Sequence, residues 1–283
     1  VHDLPKDDPV QLNSLSEAAP RGRKLFRVLT VLGALVVLGF FLFPPLAPLD
    51  KANLIGYAIC HQIPERSFFL GGHQLPLCAR CTGTYLGVAV GFGTLALLGR
   101  WRTGELLSTW ILALMVGFVA IMGVDGLNSY LDLVLGHPVL YEPQNWLRAV
   151  TGSLNGIALS MILMPILNTT LWKQPAATRP LHNGWELLAV IAAAGTLVAL
   201  VQSEPAWLLY PVAILTTAGV VWMLTAVNTM ILLIAFRQDG QAETWHQVAP
   251  ALLGGLVTAL VELAVIGTAR YLLTGTLSWS VPP

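Results

Sequence analysis

Charge is scarce in this 283-residue sequence: Asp, Glu, Lys and Arg together make up 11%. A soluble domain carries about 25%. With 55% hydrophobic residues and a mean hydropathy of +0.69, that deficit excludes an ordinary cytosolic enzyme. A basic excess is also missing, since 15 Lys+Arg face 15 Asp+Glu, so nucleic acid is not an expected partner. Haem attachment is excluded as well, because no His follows the second cysteine of Cys78-Ala79-Arg80-Cys81-Thr82. No catalytic motif stands out. The abundant residues are apolar, and the first partner they imply is a lipid bilayer.

Apolar runs near the length a helix needs to cross the hydrocarbon core recur at 26–43, 83–98, 105–122, 147–171, 185–201, 207–236 and 248–273. They predict an all-α, polytopic membrane protein with about seven transmembrane helices. Arg21, Arg23, Lys24 and Arg27 precede the first run, and a cytoplasmic amino terminus follows from the positive-inside rule. Counting crossings then puts Arg100, Arg102, Lys173, Arg179 and Arg237 in cytoplasmic loops. The chain is expected in the cell membrane with its carboxyl terminus outside. Residues 1–24 read as a flexible polar tail. The run after them has the basic flank of a signal peptide. Its length, its distance from the start and the poor cleavage site at Phe43-Pro44-Pro45 favour a retained helix.

All three cysteines and two of the six histidines fall within Cys60-His61-Gln62-Ile63-Pro64-Glu65-Arg66-Ser67-Phe68-Phe69, a Gly71-Gly72-His73-Gln74-Leu75-Pro76 turn, and Cys78-Ala79-Arg80-Cys81. The topology places this cluster on the outer face. Three chemistries fit it. Thiolates and imidazoles hold zinc, and a C-x-x-C turn commonly supplies two ligands. Cys60, Cys78, Cys81 and a histidine would complete a set, with His61 the first choice and His73 the second. Alternatively, a C-x-x-C at a helix start has a lowered thiol pKa suited to redox exchange, for instance with a quinone. The third reading is a structural disulfide, which leaves one thiol over. Arg66 and Arg80 are candidates for an anionic ligand or lipid head group; the alternatives are snorkelling, or pairing with Glu65 and Asp50.

A second outer segment follows. Asp125-Gly126-Leu127-Asn128-Ser129-Tyr130 closes the third run, and Asn145-Trp146-Leu147-Arg148 opens the fourth. Arg66, Arg80, Asp125 and Arg148 together read as a polar ligand-binding or cofactor-binding pocket beside the cysteines, with Arg148 the natural partner of Asp125. The alternative is an ion pair that locks two helices. Gly83, Gly87 and Gly91 recur every four residues, and Thr151-Gly152-x3-Gly156 resembles Thr82-Gly83-x3-Gly87. Small residues at that spacing let two membrane helices approach closely. Glu262, deep in the last run, is either a carboxyl bonded to Asn228 or a backbone carbonyl, or part of a proton relay.

These segments resemble a family of predicted prokaryotic membrane proteins catalogued as a domain of unknown function. The carrying residues are Cys60-His61-Gln62, Pro64, Arg66-Ser67-Phe68, Cys78-Ala79-Arg80-Cys81-Thr82-Gly83, Tyr85, Gly87, Asp125-Gly126, Asn145, Leu147-Arg148, Thr151-Gly152 and Gly156. The resemblance covers roughly residues 50–165 and departs after Asp125-Gly126, where Asn128-Ser129 stands in place of an expected Gln. It implies a multi-residue polar site without an established activity. Residues 25–175 then form a family-like four-helix region, and 176–283 an added three-helix region. The leading expectation is an outer-face zinc-like metal site. The alternatives are a thiol-disulfide/quinone membrane oxidoreductase, and a non-catalytic subunit or assembly factor that docks with other membrane subunits.

Overall fold

The computed structural model describes residues 46–277 without a break, together with part of 31–42. The expected tail lies outside the described residues, and so does the greater part of the first expected span. Helix α1, Pro48–Ile59, starts with proline in its first turn and Asp50 beside it. Both suit a helix amino terminus, where an N–H is dispensable and negative charge is favoured. Cys60 ends it in an extended conformation.

A 3₁₀ turn, Pro64–Arg66, leads into a β-hairpin of β1, Ser67–Leu70, and β2, His73–Cys78. Gly71 and Gly72 both have positive φ (59° and 80°), the backbone that a two-residue hairpin turn demands and glycine supplies cheaply. The strands pair Ser67 with Cys78, Phe69 with Gln74 and Leu70 with His73. This hairpin corrects the all-α expectation. What read as a six-residue turn is two glycines followed by a strand, too short to announce itself by alternation.

Helix α2, Ala79–Leu97, follows β2 directly, with Cys78 at its cap. Then come α3, Thr109–Leu135; α4, Asn145–Leu171; α5, Gly184–Gln202; α6, Leu209–Ala235, preceded by a 3₁₀ turn; and α7, Trp245–Thr274. Among the described residues, α3, α4, α5, α6 with its preceding turn, and α7 are long and apolar enough to cross a membrane. Five spans are thus supported where seven were expected. α2 falls short of that apolarity because it carries Arg80 and is rich in glycine and threonine.

The third span was expected to end at Met122, with Asp125 closing it, but α3 continues to Leu135 and stops at Gly136 in the left-handed region. Asp125, Asn128, Ser129 and Asp132 therefore lie inside a helix. The first three read as part of a helix end from sequence, yet each of the four finds a partner on another segment.

α4 is the central element: 67% of its apolar window is buried, against 17% for α3. Its contact with α2 is glycine-mediated, as expected. Gly83 and Gly87 lie against the Ala149 and Ser153 backbone, and Gly91 against Ser160. In return Gly152 and Gly156 lie against the Arg80 and Thr84 backbone, and a methyl group at either would overlap a carbonyl oxygen. The helices beyond residue 175 pack on the earlier ones. Val198, Val201, Leu208 and Leu209 share a core with Leu70 and Leu75 of the hairpin, and Val220 and Leu263 pack around Cys60 and Leu77.

Candidate functional site

Three local structures deliver the three sulfurs to one place. Cys60 sits where α1 stops, Cys78 where β2 becomes α2, and Cys81 in the first turn of α2. One ligand atom from each lies within 4.8 Å of the others. The Cys78 backbone N–H donates to the Cys60 sulfur at 3.2 Å, which favours a charged sulfur there. The Cys78 thiol is held well below the usual thiol range, chiefly by the hydrogen bond from Cys60, then by that from Cys81. The Cys60 thiol is pushed up to about 11, above all by its hydrogen bond with Cys78.

The donor set itself suits a metal. A tetrahedral zinc–thiolate site with bonds near 2.3 Å needs sulfurs about 4 Å apart, and the three sulfurs lie within 4.8 Å of one another. Neither histidine joins the group. His61 is exposed, but it lines the same cavity as Cys78. His73 is exposed at the hairpin tip, opposite Leu70.

The chain around Cys60 is tied down by Gln62, named above only as part of the family signature, and by Arg270, which had no expected role in the site. Gln62 has positive φ (55°), an unusual conformation for a residue with a Cβ. Its amide donates to the Pro76 carbonyl at 2.9 Å and the Asn53 carbonyl at 3.1 Å, while its own carbonyl accepts from Gln74 at 2.8 Å. Arg270 of α7 donates to the backbone carbonyls of Tyr57, Cys60 and His61, and stacks 4.1 Å from the Tyr57 ring. A cation at the carboxyl end of α1 suits the helix dipole. Only the three-dimensional meeting of α7 with α1 exposes this role.

On the other side of Cys78 lies a cavity of about 150 Å³, whose wall includes His61, Arg66, Cys78, Arg80, Ser129 and Arg148. Arg80 donates to the Asp125 carboxylate at 2.9 and 2.5 Å and to Ser129 Oγ at 2.8 Å. Asp125 is 1% exposed, and its other oxygen accepts from the Tyr141 hydroxyl at 2.8 Å. Burial, with that hydrogen bond second, pushes the Tyr141 phenol up to about 12. The expected pairing of Asp125 with Arg148 is therefore corrected: the first turn of α2 faces α3 and presents Arg80 instead. Arg66 pairs with Asp132 at 3.7 Å, not with Glu65. Arg148 donates to Asn145 Oδ1 at 2.8 Å and, more weakly, to Ser129 at 3.4 Å. Asn145 in turn donates to the carbonyls of Glu65 and Ser67, joining α4 to the hairpin. Glu262 stands away from this site and accepts from Asn228 Nδ2 at 2.8 Å, as one of its two expected readings had it.

Residues 60–162 match the family described as Predicted membrane protein (DUF2085). The chain is also similar to an uncharacterised protein of Methanocaldococcus jannaschii, 33% identical over 116 residues, which cover 41% of this chain and 68% of that protein. An uncharacterised protein of Methanothermobacter thermautotrophicus is 38% identical over 87 residues, 28% of this chain and 76% of that one. No solved structure matches. The matched stretch spans all three cysteines, Asp125 and Arg148, and ends before α5.

Proposed function

We propose, from the premise that the chain belongs to the predicted membrane protein family DUF2085, that it carries one zinc-like metal ion on Cys60, Cys78 and Cys81. The observation behind this reading is the convergence of three sulfurs from three separate segments within 4.8 Å. A structural disulfide needs two and leaves the third without a role. Bound there, zinc would supply charge to organise the junction of α1, β2 and α2, and Lewis acidity at any position left open to the cavity. The chain's own part is clear in outline. Cys78 opens onto the cavity wall, the Cys78 amide supports the Cys60 thiolate, and Arg270 and Gln62 hold the Cys60 arm in place.

His61, on the same wall as Cys78, is the proposed residue beside the fourth position; His73 at the hairpin tip is set aside. The cysteine end is proposed to face outward, since the opposite loops carry Arg100, Arg102, Lys173, Arg179 and Arg237. Elemental analysis of the purified full chain tests the metal. About one zinc per chain is expected for a single tetrahedral site, with none retained by Cys78→Ser and most retained by His73→Ala. Metal-free protein whose Cys78 and Cys81 change alkylation state with dithiothreitol would replace this reading with thiol redox chemistry.

A further inference from the structure

We infer that the arginine-walled cavity beside Cys78 is a binding site for a phosphate group. This inference does not rest on the metal, because the arginines that carry it are not metal ligands, although the cavity shares Cys78 and His61 with the proposed metal site. Three guanidinium groups and one imidazole line about 150 Å³ between α2, α3, α4 and the hairpin. Neither Asp125 nor Asp132 forms part of the wall. Asp125 lies behind Arg80, with one oxygen bonded to it and the other to Tyr141, so it positions Arg80 and offers nothing to a ligand. Asp132 engages Arg66 only at 3.7 Å.

Arg148 is the decisive residue. It is 5% exposed, and the acceptors it holds are the neutral oxygens of Asn145 and Ser129. No carboxylate lies within ion-pair distance of it among the described residues. Burying a guanidinium without a counter-charge is costly, and such groups are paired in folded proteins. A planar five-donor fork facing a small cavity is well matched to a multi-oxygen anion. A carboxylate has two oxygens to share. The tetrahedral phosphate has more and so suits donors from three arginines arriving from three directions.

The rim gives the site a direction. Tyr130 and Leu133 border the cavity and are 61% and 57% exposed on α3. α3 also exposes Val124, Leu127 and Val134, the surface a spanning helix presents to lipid. A phosphate carried on an apolar tail would place its head among the arginines and its tail along α3. Inorganic phosphate shares the head chemistry without the tail.

The test is calorimetric titration of the full chain, with and without chelation, in a maltoside detergent that carries no phosphate. The probes are inorganic phosphate and a short-chain phosphatidic acid. Phosphatidic acid binding at least about tenfold tighter, the equivalent of one further good contact, assigns the site to a lipid phosphate. Equal binding assigns it to the soluble ion. Arg148→Met is expected to weaken the tighter probe by about tenfold or more, with Arg148→Lys intermediate, because lysine keeps the charge and loses the fork. If Arg148→Met does not fold, Arg66→Gln serves, since its ion pair is long and partly exposed; a loss of several-fold is expected. Absence of binding by both probes, or unchanged affinity in the folded variants, overturns the proposal.

Discussion

The two ends of the helix bundle carry similar charged residues and use them in opposite ways. At the end away from the cysteines, Arg100 pairs with Glu186, Lys173 with Glu243 and Arg179 with Glu105. Arg102 stacks 3.9 Å from the Trp172 ring. These groups tie the connecting loops together, helped by backbone bonds such as Gly104 N–H to the Ala176 carbonyl and Lys173 N–H to the Ala242 carbonyl. Lys173, Glu243, Arg179 and Glu105 remain about half-exposed, and exposed pairs of this kind add little stability. At the cysteine end Arg148 and Asp125 are almost wholly buried, and three guanidinium-bearing residues share a cavity with a thiol. Charge that water can reach is accounted for by solubility and loop geometry. Charge held out of water needs a partner.

The contrast can be tested by disturbing each end in turn. Asp125→Asn should have the largest effect, about 3–5 kcal/mol of destabilisation, because it leaves Arg80 partly buried without its counter-ion; denaturant unfolding in micelles measures it. Gly156→Val forces α4 from the Thr84 carbonyl of α2 and should cost about 1–3 kcal/mol or more. It should also lower metal content, since Cys78 and Cys81 lie at the start of the displaced helix. Tyr141→Phe removes one hydrogen bond from Asp125, worth about 1–2 kcal/mol. The Tyr141 pKa of about 12 in the fold exceeds the value of about 10 for an unfolded tyrosine. Its contribution is therefore complete below pH ~10 and is lost as pH rises towards 12, and the variant should flatten that alkaline limb. At the opposite end Lys173→Gln should leave the unfolding midpoint unchanged, as expected of a surface pair. A clear drop there would break the comparison.

Much of this was legible in the chain. The runs at 147–171 and 185–201 match α4 and α5 to within two residues at each end, because a long apolar stretch in lipid must satisfy its backbone groups internally, and a helix does so. The glycine spacing foretold the contact of α2 with α4, since a four-residue period puts Gly83, Gly87 and Gly91 on one helix face. The bond between Asn228 and Glu262 was one of two readings, and an isolated intramembrane carboxyl has few partners to choose from. The end of α3 was not legible. Asp125, Asn128 and Ser129 read as a break, because their partners Arg80 and Tyr141 lie on other segments, 13 or more positions away in the chain. The hairpin was missed because four-residue and six-residue strands leave too little alternation to see. Nothing in the local pattern around Arg270 marks it as the residue that anchors Cys60.

The sequence by itself determined that this is a membrane protein, where most of its helices run, and that its cysteines share one short stretch. Each of those properties is a sum over neighbouring residues, in apolarity, period or spacing. Which cation answers which carboxylate, that the three sulfurs converge while both histidines stand apart, and that Arg148 is left facing a cavity were decided only by the tertiary structure. Pairing of charges depends on distances across the bundle. In a medium that solvates charge so poorly, those distances decide whether a residue is a fastening or an open site.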